Sequence, residues 1–264
     1  MEASLAEVEF LALSANRVEV LRLLAERPRD RSELAAETGA SQATLGRILA
    51  DFEERSWVER REREYVATAT GRLVSRGFTD LLDVLATERE LRGVVEYLPD
   101  EELTFDLRHL SDATVTVPSG TRPDAPLQRL LDLEREGREV RAFSHAFNER
   151  SLSLTAERAR DDDLSFRGVF SRGAIDALAS DDELRRTLRE LLAAEDASVR
   201  VYDGEVPLAG SIVDDTVNLL VRDENGVLQA AIDTDDDVVR SWAEDTFTSY
   251  WEAATPFDRR DLWE

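Results

Sequence analysis

The order of signals between residues 30 and 68 constrains this chain more than any other feature. Asp30 can cap a helix, and Glu33 stands at the reciprocal position of a capping box. That helix is short, carries Leu34 and Ala35 as its apolar residues, and stops near Gly39. The turn is Thr38-Gly39-Ala40. Ser41 can cap a further helix over 41–54, with Leu45, Ile48, Leu49 and Phe52 on one face. Trp57-Val58-Glu59-Arg60-Arg61 and Tyr65-Val66-Ala67-Thr68 then alternate as strands do, with Glu62-Arg63-Glu64 between them. A short helix, a tight glycine turn, a second helix and a two-stranded ribbon make a helix-turn-helix followed by a wing. Upstream, Val8, Leu11, Val18, Leu21 and Leu24 predict one amphipathic helix over about 8–27, ended by Pro28. Downstream, Thr70-Gly71-Arg72-Leu73-Val74 restarts helix.

Such a motif exposes one helix to a groove. The positions of helix 41–54 off its core face are Gln42, Ala43, Thr44, Gly46 and Arg47. Gln and Arg can make bidentate contacts to adenine and guanine edges, and Thr and Ala methyls can meet the thymine methyl. Small residues at Ala43 and Gly46 are expected to let the helix sit close to the groove floor. The expected DNA-binding set is Arg31, Ser32, Ser41, Gln42, Thr44 and Arg47, with Arg60, Arg61 and Arg63 of the wing against the phosphates.

Charge supports this division. The 264 residues contain 57 Asp and Glu against 33 cations, all of them arginine, for a net charge of −24. Residues 1–78 carry only −2 of it, and 41–78 balance at +1, whereas 79–264 carry −22. A surface that approaches phosphate cannot hold a dense layer of carboxylates. The general acidity, with arginine used to the exclusion of lysine, fits a cytoplasmic protein of a high-salt organism, where a short Debye length screens crowded carboxylates.

Several functions are excluded by composition. Without cysteine there is no disulfide framework and no zinc-thiolate site. Without lysine there is no Schiff base and no P-loop lysine. His109 and His145 are the only imidazoles. No G-x-S-x-G or metal-spaced cluster occurs, so neither a catalytic residue, a metal nor a cofactor is expected. No apolar run is long enough to span a membrane.

Residues 79–99 read as a linker or dimerisation helix. Leu81, Leu82, Val84, Leu85, Leu91, Val94, Val95 and Leu98 form an apolar stripe, broken by Glu88 and closed by Pro99. Packing on its own domain explains the stripe equally well. Residues 118–126 are a loop. Beyond it, strands are expected at 113–117, 139–144, 164–170, 198–202, 211–213, 217–222 and 227–232, and helices at 125–136, from a Ser180/Glu183 capping box to Leu192, and from Thr234 onward. The fold class is therefore α+β. A winged helix-turn-helix domain (1–78) and a linker helix (79–99) precede an α/β ligand-sensing domain (100–264). His145 and Arg172 stand at strand ends, where α/β sheets bind ligands, and are the candidate effector contacts. Asp203, Asp214 and Asp215 read as solvated turn residues.

The stretch ALSANRVEVLRLLAERPRDRSELAAETGASQATLGRILADFEERSWVERREREYVATATGRLV resembles the winged-helix domain of archaeal transcriptional regulators. The stretch RGAIDALASDDELRRTLRELLAAEDASVRVYDGEVPLAGSIVDDTVNLLVRDENGVLQAAIDTDDDVVRSWAEDTFTSYWEAATPF resembles the C-terminal effector domain of the methanogenesis-regulator type. That domain is common in haloarchaeal regulators and distantly similar to the sensing half of TrmB-like regulators. The chain lacks the His-x-Lys pair of phospholipase-D-like enzymes of related architecture. The resemblance implies sensing rather than phosphodiester chemistry. Residues and resemblance together point to a sequence-specific transcriptional regulator. Its expected partners are double-stranded DNA, a second copy of itself and a small-molecule effector, with no membrane. The alternative is an adaptor that uses its winged helix to bind transcription machinery.

Overall fold

The computed structural model describes residues 1–99 and 101–263, so the expected domain bounds at residues 100 and 264 lie outside the described residues. The chain divides into two compact units, Met1–Leu85 and Ala86–Glu264.

In the first unit, two helices stand where one was expected: α1 (Glu2–Ala12) and α2 (Ala15–Glu26). Ser14 is extended and separates them. The break has a packing cause. It turns Phe10 onto Phe52 and Trp57, at ring-centroid distances of 6.1 and 6.0 Å. Arg17 then donates to the Phe10 carbonyl at 3.0 Å, satisfying a group that the end of α1 leaves open. Arg27 is extended, as a residue before proline prefers, and α2 stops there.

The capping signals are realised. Asp30 accepts from the Ser32 and Glu33 amides, and Glu33 accepts in return from the Asp30 amide, starting α3 (Arg31–Thr38). Gly39 closes α3 at φ 68, a left-handed turn that favours glycine. Ser41 caps α4 (Gln42–Glu54) through the Thr44 amide, and Leu45, Ile48, Leu49 and Phe52 are all buried. The wing is β1 (Val58–Arg61) paired with β2 (Glu64–Ala67) around the two-residue turn Glu62-Arg63. Arg29 and Tyr65 exchange backbone hydrogen bonds at 2.8 and 3.0 Å, fixing the approach to α3 against the wing.

The helix after the wing, α5 (Ala69–Leu91), begins ten residues before the expected linker and ends eight before its far bound. Gly71 makes its start possible: a Cβ there would stand 1.9 Å from the Trp57 carbonyl oxygen. The apolar stripe of 79–99 is divided. Leu81, Leu82, Val84 and Leu85 are exposed, whereas Leu91, Val94 and Leu98 are buried in the core of the second unit.

The second unit is built on one eight-stranded mixed sheet. In chain order its elements are β3 (Thr114–Thr116), α6 (Ala125–Glu136), β4 (Glu139–Ser144), α7 (Glu149–Arg160), β5 (Ser165–Ser171), α8 (Arg172–Ser180), α9 (Asp182–Leu191), β6 (Ala197–Tyr202), β7 (Ala209–Val213), β8 (Thr216–Arg222), β9 (Leu228–Thr234), α10 (Asp237–Ala253) and β10 (Thr255–Phe257). The spatial order is β10-β6-β5-β4-β7-β8-β9-β3, with β4, β5 and β6 parallel and every other pair antiparallel. Helix α10 covers one face through Val239, Trp242, Ala243 and Phe247. Helices α6 to α9 cover the other. The fold is α+β, as expected.

Three local expectations are corrected. Ser180 does not cap a helix; its hydroxyl donates to the Ala177 carbonyl at the end of α8, and Asp181 caps α9 through the Glu183 and Leu184 amides. Thr234 ends β9, and Asp236 caps the last helix. Helices α7 and α8 and the edge strand β10 were not anticipated. Asp214 is exposed in the turn between β7 and β8, as expected, and in addition accepts from the Arg138 and Glu139 amides at 3.0 Å each. Among the described residues, no helix is long and apolar enough to cross a membrane.

Candidate nucleic-acid interface and interior polar cavity

The first unit presents α4 and the wing with an unusual charge state. Its arginines fall into two sets. Arg17, Arg22, Arg27, Arg29, Arg55 and Arg61 each have a carboxylate within 4 Å. Arg31, Arg47, Arg60, Arg63, Arg72 and Arg76 have none among the described residues. In a chain with a large excess of acid, four of these six fall on α3, α4 and the wing. Arg47 is exposed on α4, and Arg63 is exposed at the tip of the wing. Arg60 bonds the Glu62 carbonyl at 3.1 Å, which steadies it without neutralising it.

The other expected residues are partly engaged. Arg31 donates to the Gln42 carbonyl at 2.7 Å, and the Gln42 side-chain amide donates to the Arg31 carbonyl at 3.3 Å. This pair locks the start of α3 to the start of α4. Gly46 has a different use from the one expected: a Cβ there would stand 2.7 Å from Arg31 Nη2, so it makes room for that guanidinium. The Ser41 and Thr44 hydroxyls bond each other at 2.9 Å. Ser32 is exposed on the first turn of α3. Arg61 is paired with Glu59 at 2.8 Å. Among the described residues, Arg47, Arg60 and Arg63 are therefore the exposed cations of the set without a carboxylate partner, and Gln42, Ser41 and Thr44 form its frame.

The second unit holds a cavity between the sheet and helices α6 and α7, with about 70 Å3 of room. That is space for two waters, at roughly 30 Å3 each, or for the polar end of a small ligand. Phe143, Phe147, Phe166 and Phe170 supply apolar walls, and Phe147 stacks on Phe170 at 3.9 Å. Glu134, Ser211 and Arg222 supply polar ones. Glu134 is 4% exposed. It accepts from the Ser151 hydroxyl at 2.7 Å through Oε1, while Oε2 has no partner among the described residues. Burial pushes its carboxyl up to about 7. Ser211 Oγ and Arg222 Nε also lack partners, and burial lowers the Arg222 guanidinium from its ordinary value. Beside Ser211 across the strands lies Asn218, fully buried, with neither side-chain amide atom bonded. Asp233 follows on β9, held by Arg129 of α6 at 2.7 Å. Buried polar atoms are nearly always satisfied, so Glu134, Ser211 and Arg222 leave hydrogen-bonding capacity open to the cavity, whereas Asn218 and Asp233 are not part of its lining.

The expected effector residues stand at the neighbouring strand ends. His145 lies in a shallow depression with Ser171 and Val206, where its Nδ1 donates to the Val206 carbonyl at 2.9 Å. Burial lowers its pKa from the ordinary histidine range, and the nearby Arg222 lowers it further. Arg172 opens α8 and is closed on Asp203 at 2.9 Å. The Ser144 hydroxyl bonds the Ala146 carbonyl.

Glu134 and Arg222 were not singled out from sequence. A signal existed for the first. Leu127, Leu130, Leu131 and Glu134 share one helical stripe, so an acid sits on the apolar face of α6. Ser211 and Asn218 interrupt apolar strand runs, which marks them only once the sheet is known to be covered on each face.

Residues 5–90 match the model of the HVO_A0261 N-terminal domain, and residues 123–253 match that of the middle domain of the methanogenesis regulatory protein FilR1. No curated protein matches the chain. Among solved structures, TrmBL2, an archaeal chromatin protein described for its mode of DNA binding, is 14% identical, with a TM-score of 0.41 over 94% of this chain and 96% of its own. The phospholipase D family member Nuc of Salmonella typhimurium is 11% identical, with a TM-score of 0.44 over 55% and 99%. NucT of Helicobacter pylori is 15% identical, with a TM-score of 0.42 over 55% and 98%. At scores below 0.5 these are likenesses of outline only.

Proposed function

We propose that this chain, a member of the regulators that join an HVO_A0261-type N-terminal domain to a FilR1-type middle domain, reads specific sequences in duplex DNA. The observation that carries the reading is the set of arginines without carboxylates on α4 and the wing. Arg47 is the base-reading cation, and Arg60 and Arg63 hold the phosphate backbone. Gln42, Ser41, Thr44, Arg31 and Ser32 set the depth and angle of α4, and Arg61 joins the backbone contacts by leaving Glu59. The test is selection of bound fragments from random DNA. Arg47→Ala is expected to cost about 1–3 kcal/mol and relax the preference at one base pair. Unchanged specificity in a folded Arg47→Ala variant overturns the assignment of α4 and favours the adaptor reading.

The regulator acts as a homodimer, because one winged helix covers one half-site. Leu81, Leu82, Val84 and Leu85 support this, exposed at 41%, 42%, 36% and 53% on one segment of α5. Leu82→Glu with Leu85→Glu is expected to give a monomer by light scattering; a persistent dimer moves the interface elsewhere. A small molecule in the Glu134–Ser211–Arg222 cavity shifts the population of the DNA-competent form. His145 adjoins that site, and Arg172 enters it only by releasing Asp203. The carboxylate surplus supports a cytoplasm of high ionic strength as the setting.

A further inference from the structure

A chain with 57 acidic residues offers each of its 33 arginines a choice of partners. An arginine left without a carboxylate therefore needs a reason. In the second unit, three such residues face one groove. Arg186 of α9, Arg200 of β6 and Arg259 of the C-terminal turn (Arg259–Trp263) line it along the β6–β10 edge of the sheet. None has a carboxylate within 4 Å among the described residues. Arg189 and Arg260 line the same groove, the first bonded to the Leu262 carbonyl at 2.9 Å and the second 3.8 Å from Asp258. Glu190 and Asp258 are the acids of its lining. Among the described residues, Arg186, Arg200 and Arg259 bring cations without carboxylate partners to one concavity, in the part of the chain that carries −22.

The groove has the size and the fittings of a ligand site. Its volume is about 840 Å3, within the range of small-molecule pockets. Arg200 is held in place without being neutralised. Its guanidinium stands 4.4 Å from the Trp251 ring centroid and donates to the Trp251 carbonyl at 2.7 Å. Trp251 and Phe257 give the groove an apolar wall. One carboxylate occupies one guanidinium fork. The forks of Arg186 and Arg259, which meet no carboxylate among the described residues, match an anion with several oxygens and more than one charge, and Arg200, turned onto Trp251, braces the groove beside them.

We propose that this groove is a site for a phosphate-bearing small molecule with at least two negative charges, of the pyrophosphate or nucleoside polyphosphate class. Arginines without a carboxylate partner also mark α4 and the wing, where by the proposed function the phosphates belong to duplex DNA. At the sheet edge the arginines instead line a concavity bounded by α9 and the C-terminal turn, a shape that takes a compact anion rather than the ridge of a duplex backbone.

The test is calorimetric titration of the full chain with pyrophosphate, at a salt concentration where circular dichroism shows it folded. Saturable one-to-one binding is expected, weakened tenfold or more by Arg186→Gln with Arg259→Gln. Each of these side chains is exposed, so matching thermal melts should accompany the loss. Arg259→Gln alone carries the same test if the double variant melts early. Arg63→Gln in the wing is expected to bind pyrophosphate as the parent does. Absence of saturable binding, or binding indifferent to the groove substitutions, overturns the proposal. So does a groove variant that loses affinity for duplex DNA while pyrophosphate fails to bind, which makes the groove a second contact to the DNA backbone.

Discussion

Arg29 in the first unit and Asn218 in the second are each buried, and they are treated in opposite ways. Arg29 is 6% exposed, and each nitrogen of its guanidinium is held: Nη1 by the Leu23 carbonyl, Nε by Glu37 at 3.1 Å, and Nη2 by Glu26 at 3.2 Å. Asn218 is fully buried with neither amide atom bonded, and Glu134 Oε2 and Ser211 Oγ share its condition. The first unit has an interior of apolar side chains apart from Arg29 and Ser75, and keeps its unneutralised charge outside, on α4 and the wing. The second holds unused hydrogen-bonding capacity on Glu134, Ser211 and Asn218, whereas in the first it is confined to Arg17 Nε and Arg31 Nε among the described residues. In the first unit the charge available to a partner lies on the surface. The other carries the cost of buried polar groups left without partners among the described residues, which a bound effector of the proposed kind would relieve.

The sharpest way to break this contrast is Gly71→Ala. The added Cβ meets the Trp57 backbone at 1.9 Å, and neither chain can yield. A loss of about 3 kcal/mol is expected in the unfolding transition of the first unit, with DNA affinity falling alongside. A variant as stable as the parent would show that this unit is not rigid at the root of the wing. The second unit is tested through pH. The folded Glu134 carboxyl keeps its proton up to about 7, against 4.5 for an ordinary glutamate. Between those values the folded state binds the extra proton, so this group's contribution is full below about pH 4.5 and is lost as pH rises through 7. Relative to the parent, Glu134→Gln is expected to gain about 3 kcal/mol between pH 4.5 and 8 in urea unfolding. Parallel curves would mean that the carboxyl is not held neutral. The smallest effect expected is that of Asp30→Ala, about 1 kcal/mol for the lost capping box, confined to the first unit.

The first unit was largely legible because its signals are local. Asp30 with Glu33, Gly39 and Ser41 each act within four residues, and the stripe Leu45, Ile48, Leu49 and Phe52 needs only helical geometry. The break at Ser14 escaped because the residues on either side keep a helical period, and only the reach of Phe10 to Trp57 interrupts it. In the second unit α7 escaped because its buried face is Leu152, Thr155, Ala156 and Ala159, a weak apolar stripe. Ser180 was preferred over Asp181 because either can cap; the hydroxyl was already committed to the Ala177 carbonyl. The residues expected to contact DNA lie at the surface, with Arg31 and Thr44 half-buried, and their division into unpaired cations and frame depends on which arginines meet carboxylates across the fold.

What the amino-acid order determined by itself was the set of elements whose causes are short in range: the caps, the glycine turn, the wing and the alternation of strand and helix that makes the fold α+β. It also determined the charge contrast between a nearly neutral N-terminal third and an acidic remainder. Tertiary structure alone decided which polar groups lost water and which found partners. Glu134 stands on α6 beside leucines in any helix, but its proton affinity rises only because α7 and the sheet close over it. Arg186 and Arg259 lie 73 residues apart in sequence and become one groove only when β10 adds to the edge of the sheet beside β6. Desolvation and long-range pairing depend on what surrounds a residue in space, and that neighbourhood is not written in its near neighbours along the chain.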